Sequence, residues 1–143
     1  NAMTPALSSE VPGGWNLVGN YADAAYDAST LNSNENVDQT WVYVDGSWEQ
    51  DASSIPSGNG FWVKVTADVD ALDLGSAALS SNPNVADFEA GTWQLDAAIA
   101  ATTADALVSD YEGATESWVY LNGTWKTQDD ADAVPAGAGY WVK

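Results

Sequence analysis

Histidine, cysteine and arginine are all missing from this chain of 143 residues, and their absence limits the chemistry it can carry. Neither a Ser-His-Asp nor a Cys-His relay can be assembled without them. Thiolate zinc sites and disulfides are ruled out with the cysteines. What remains is carboxylate oxygen, with 21 Asp and Glu residues, and aromatic surface, with eight tryptophans. Two carboxylates bracketing a glycosidic bond can hydrolyse it. So many acids offer pairs everywhere, however, and no pair stands out, so the chain reads as non-enzymatic. The glycine turns Gly58-Asn59-Gly60 and Gly137-Ala138-Gly139 lead into strands and lack the Lys and Ser/Thr of a phosphate loop. Asp68, Asp70 and Asp73, and then Asp129, Asp130 and Asp132, form acidic runs of the kind calcium accepts. Neither run has the glycine and terminal glutamate of an EF-hand. They read first as solvated loops, with weak calcium binding as the alternative; no metal site and no cofactor is assigned.

The aromatic residues are the better candidates. A tryptophan on an open strand face can stack on the C–H face of a sugar ring or anchor a protein partner. Trp62 and Trp141 each have a lysine two residues on, Lys64 and Lys143, which places Trp and Lys on one side of a strand and leaves that side at least half exposed. The lysine could also lie over an indole as a cation–π lid. Trp48 and Trp125, in the hairpins described next, complete the candidate ligand-binding set of Trp62, Trp141, Trp48, Trp125, Lys64 and Lys143. The hairpin tryptophans read as core rather than ligand-binding. Trp15 and Trp93, beside Leu17 and Leu95, read more firmly as core.

The elements that carry these side chains are legible. Residues 41–48, Trp-Val-Tyr-Val-Asp-Gly-Ser-Trp, recur at 118–125 as Trp-Val-Tyr-Leu-Asn-Gly-Thr-Trp. Asp45-Gly46 and Asn122-Gly123 are favoured type I′ pairs, because both central residues need positive φ. A two-residue loop sets Val44 opposite Ser47 and Tyr43 opposite Trp48. Trp41, Tyr43 and Trp48 then share one face, with Val42 and Val44 on the other. A ribbon apolar on both faces is either covered on both or keeps one for a partner. Strands are also expected at 15–19, at 61–65, and at their counterparts from 93 and 140. Short helices are expected within 23–31 and 103–111, the second stopped by Gly113. Val69, Leu72 and Leu74 suggest an irregular extra strand, and residues 80–84 a linker. The first dozen residues read as a lead-in, with Asn1-Ala2-Met3 as a tag remnant before a start methionine.

All eight tryptophans pair at spacings of 77 to 79 residues, from Trp15/Trp93 to Trp62/Trp141. The chain is therefore a duplication. We expect a β-rich α+β fold of two pseudo-symmetric units of mainly antiparallel strands, each with one short helix. The first unit spans 11–66, a connecting segment 67–88 and the second unit 89–143, packed as one globular body because either unit alone has little core.

The order Gly-Trp-Asn-Leu-Val-Gly, helical stretch, Trp-Val-Tyr turn Trp, then Pro-x-Gly-x-Gly-aromatic-Trp-Val-Lys resembles tandem repeat modules of large secreted and cell-surface bacterial proteins. The match covers residues 14–19, 41–48 and 56–64, and then 91–95, 118–125 and 135–143. Gln94 replaces Asn16 of the pattern, and the glycine that follows is lost. The resemblance implies an extracellular or cell-surface setting and no catalytic residue set. The expected role is adhesion or structural spacing, with carbohydrate binding through exposed tryptophans as the alternative. Partners would be other surface proteins or polysaccharide. A net charge of −18 repels nucleic acid and anionic membranes and favours a soluble monomer. No apolar run is long enough to span a bilayer.

Overall fold

The computed structural model describes residues 2–143. In the first unit the strands are β1 (Trp15–Gly19), β2 (Tyr26–Asp27), β3 (Val37–Val44), β4 (Ser47–Gln50), β5 (Ser54–Ile55) and β6 (Gly60–Val65), with helix α1 (Ser29–Asn32). Helix α2 (Pro83–Ala86) lies in the connection. The second unit holds β7 (Gln94–Ala97), β8 (Thr102–Thr103), helix α3 (Ala104–Leu107), β9 (Ser117–Leu121), β10 (Thr124–Thr127), β11 (Ala133–Val134) and β12 (Gly139–Val142). Each unit is a four-stranded antiparallel sheet, ordered β1-β6-β3-β4 and β7-β12-β9-β10. Small two-stranded ribbons, β2-β5 and β8-β11, flank the sheets. The fold is thus the expected β-rich pair of similar sheets with short helices.

The hairpin register is the one the turns dictate. Tyr43 faces Trp48 and Val44 faces Ser47, while Tyr120 faces Trp125 and Leu121 faces Thr124. Asp45 and Asn122 have φ of 52° and 51°, and Gly46 and Gly123 of 78° and 82°, as type I′ turns require. The helices are shorter than expected. Residues 26–27 pair with 54–55 instead of entering a helix. Asp27 then caps the turn that follows by accepting from the Ser29 amide at 3.0 Å.

Period-two alternation divides each sheet into an aliphatic and an aromatic face. On the aliphatic face of the first sheet Val18, Val42, Phe61, Val63 and Val65 are buried. The residues that cover them differ from the expectation. Residues 2–7 are not a frayed lead-in: Leu7 and Val69 exchange backbone hydrogen bonds of 2.7 and 2.9 Å, and Met3 bridges Asp73. Ala2, Leu7, Leu72 and Leu74 thereby join the first core. Residues 80–84 are likewise more than a linker, because buried Asn82 donates to the Gly58 and Ala97 carbonyls at 3.0 and 3.1 Å. The second core is built from Leu107, Tyr111, Val119, Val134, Tyr140 and Val142, with Phe88 packed against it.

The units join by reciprocal exchange. The Gly19 amide donates to the Gly137 carbonyl at 2.7 Å, and the Ala97 amide donates to the Gly58 carbonyl at 2.8 Å. The backbones come very close here. A Cβ on Gly60 would meet the Asp96 carbonyl oxygen at 2.8 Å, and one on Gly139 would meet that of Val18 at 2.6 Å. Glycine at these two positions is what lets the sheets touch.

Candidate functional site

Closure at the glycines turns the aromatic faces of the two sheets toward each other. Tyr43 and Trp48 lie against Trp141, with ring centroids 5.2 and 5.8 Å apart. Tyr120 and Trp125 lie against Trp62 in the same way, at 5.5 and 5.9 Å. Most of these pairs are steeply inclined, the geometry that ring quadrupoles favour. The faces do not close completely. Two grooves of about 500 Å³ each remain, related by the duplication. The first is lined by Pro12, Trp15, Trp41, Trp48, Trp62, Tyr120 and Trp125. The second is lined by Tyr43, Trp48, Trp93, Glu116, Trp118, Trp125 and Trp141. Trp48 and Trp125 belong to both.

Of the six residues singled out from the sequence, four tryptophans therefore converge. Trp62 and Trp141 are half-buried, while Trp48 and Trp125 are 47% and 40% exposed. Register explains the convergence: Trp41 sits directly opposite Trp62, and Trp118 opposite Trp141, so the hairpin face and the Trp-Lys face are one surface. The core assignment of the hairpin tryptophans is corrected accordingly. So is that of Trp93, which is 40% exposed, and of Trp15, which is half-buried. The interior positions of those strands go to Leu17 and Leu95, both buried between the sheets.

Lys64 and Lys143 line neither groove. Each covers the outer tryptophan of its own unit instead. The Lys64 ammonium sits 5.9 Å from the Trp15 ring, its cross-strand partner, and also pairs with Asp38 at 3.5 Å. The Lys143 ammonium sits 5.6 Å from the Trp93 ring. They hold the walls in place through cation–π contact.

One polar cluster gave no signal when the units were read separately. Asp96 is fully buried and accepts from Tyr111 at 2.5 Å, Gln94 at 2.8 Å and Asn84 at 3.2 Å. Tyr111 and Tyr140 hydroxyls are 2.5 Å apart. The single Tyr111 hydrogen is committed to Asp96, so Tyr140 donates to Tyr111. Burial raises the Asp96 carboxyl to about 6, partly offset by these three donors. Both tyrosines are pushed above their ordinary range, first by burial and then by the neighbouring negative charge. The clue lies in aligning the copies: Asp96 and Tyr140 stand where the first unit has Val18 and Phe61.

The acidic runs disperse. Asp68 accepts from the Ser9 amide and hydroxyl, which holds its carboxyl below the usual range. Asp130 accepts from the Thr127 amide, and Asp132 pairs with Lys126 at 3.6 Å. Among the described residues no three acidic side chains converge as a metal would need. No described helix is long and apolar enough to cross a membrane.

No family model, curated protein or solved structure matches the chain. The twin grooves hold six aromatic side chains each, and they are the candidate binding site.

Proposed function

We propose that the chain is a non-catalytic carbohydrate-binding module of a bacterial secreted or cell-surface protein, serving adhesion through its two tryptophan grooves. The observation that carries this reading is the pair of open, tryptophan-walled grooves. Trp48, Trp93 and Trp125 keep 40–47% of their surface exposed along these grooves, more open aromatic surface than a pure spacer needs. Sugar rings suit the walls because their axial C–H faces stack on indoles. The grooves are open, so ring hydroxyls stay hydrated and need few protein partners. Catalysis fits poorly. The first groove has no carboxylate and the second only Glu116, whereas hydrolysis needs two flanking the bond. The acid with the raised pKa, Asp96, is sealed from solvent.

The repeat resemblance favours the secreted or surface setting, and the charge of −18 suits a soluble monomer there. Tryptophan emission titrated with a panel of polysaccharides tests the reading. Quenching or a spectral shift is expected, lost in a Trp48→Ala/Trp125→Ala variant that removes a wall from both grooves. Flat emission across the panel would return the chain to the spacer role.

A further inference from the structure

We infer that the second groove selects sugars bearing a protonated amine, with Glu116 as the residue that reads the charge. This rests on the carbohydrate reading above and narrows its substrate class. The two grooves are copies in their aromatic walls but not in their charge. Glu116 stands 77 residues after Gln39, the same interval that relates Trp118 to Trp41. In the first unit the Gln39 side-chain oxygen is occupied, accepting from the Trp41 indole at 2.9 Å, and every residue lining that groove is neutral. In the second unit the corresponding residue, the acidic Glu116, is itself part of the groove lining.

Glu116 is held there by its backbone. Its amide donates to the Lys143 carbonyl at 3.2 Å, and its carbonyl accepts from the Lys143 amide at 2.9 Å. Among the described residues the ion pairs are Lys64–Asp38 and Lys126–Asp132, so the Glu116 carboxylate has no cation within 4.0 Å. The Lys143 ammonium, cross-strand from Glu116, lies instead over the Trp93 ring at 5.6 Å.

A ligand amine entering the second groove meets a carboxylate and indole faces together, and indole faces attract cations as they already attract Lys64 and Lys143. An acidic sugar meets the reverse. No lysine lines either groove, and the net charge of −18 repels uronate and sulfate groups before contact. The ligand class is therefore an unacetylated amino-sugar chain.

The test compares hexamers of glucosamine, N-acetylglucosamine and glucose at mildly acidic pH, followed through the indole N–H resonances of the full chain. The glucosamine hexamer is expected to bind about tenfold more tightly than the other two, a charge pair and a cation–π contact being gained together. Glu116→Gln should erase that preference, bringing the glucosamine hexamer to the same affinity as the glucose hexamer. Glu35→Gln, the same charge change at an exposed site outside both grooves, should preserve it. Equal affinities for all three hexamers, or an equal loss in Glu116→Gln and Glu35→Gln, would overturn the inference and leave the carbohydrate reading standing. No shift with any hexamer would defeat both.

Discussion

Replacing Asp96 with asparagine should flatten the pH dependence of stability by a predictable amount. Burial holds the native carboxyl near 6, against 3.8 for the unperturbed group. The native state therefore binds this proton more tightly than the unfolded chain does. Below about pH 4 both states are protonated and the stabilisation is fully present. As pH rises from about 4 to about 6 the unfolded chain releases its proton first, and each step upward costs native stability. Above about 6 the loss is complete, at about 3 kcal/mol for a difference of this size. Asparagine cannot ionise, so the variant lacks this component. Its absolute stability will be lower, because its amide nitrogen cannot accept the hydrogen bonds made to both oxygens of Asp96.

Urea unfolding of both proteins between about pH 4 and about pH 7 provides the comparison, urea being preferred because an ionic denaturant would screen the other acids. The remaining carboxylates contribute a slope common to both, so the difference between the two curves isolates Asp96. Native stability should fall between these limits by about 3 kcal/mol more than that of the variant. Parallel curves would show that Asp96 is not a buried, reluctant acid, and the network drawn around it would be wrong.

The other predictions concern packing and the grooves. Tyr111→Phe removes the shortest donor to Asp96 and should cost about 1–3 kcal/mol at neutral pH, with a smaller loss in acid; a pH-independent cost would contradict the assignment of donors. Gly60→Ala and Gly139→Ala place a methyl against a carbonyl of the opposite unit, and each should cost about 1–3 kcal/mol in a denaturant titration; unchanged midpoints would mean the sheets are not in such close contact. Phe61→Ala empties a fully buried position and should cost about 3–5 kcal/mol. Trp125→Ala should cost clearly less, since that residue is already 40% exposed, while weakening any ligand-induced change in tryptophan emission.

Much of this organisation was legible because it is local. The Asp-Gly and Asn-Gly turns fix hairpin register, register fixes which face each aromatic takes, and the spacing of eight tryptophans exposes the duplication. What could not be read was how the two faces meet. A ribbon apolar on both sides is ambiguous until its partners are known, and Trp15, Trp93, Trp48 and Trp125, whose apolar neighbours point to a core, line a seam that stays half open. The decisive contacts, Gly60 against Asp96 and Gly139 against Val18, lie between units and leave no periodic trace. Residues 2–7 carry no strand signal in the sequence because their side chains are mostly small, show no alternation and include Pro5, yet Leu7 pairs with Val69 across 62 positions of chain. The buried acid was hidden because Asp96 resembles any other acid in so acidic a sequence. Only its counterpart Val18 marks the position as interior.

We propose that ligand enters the grooves between the two aromatic faces. The eight indole N–H resonances report on it most directly, during titration with neutral and amine-bearing oligosaccharides. Trp48 and Trp125, shared by both grooves, should move most, together with Trp62 and Trp141. Resonances that stay fixed throughout, or shifts confined to the aliphatic faces of the sheets, would contradict the account.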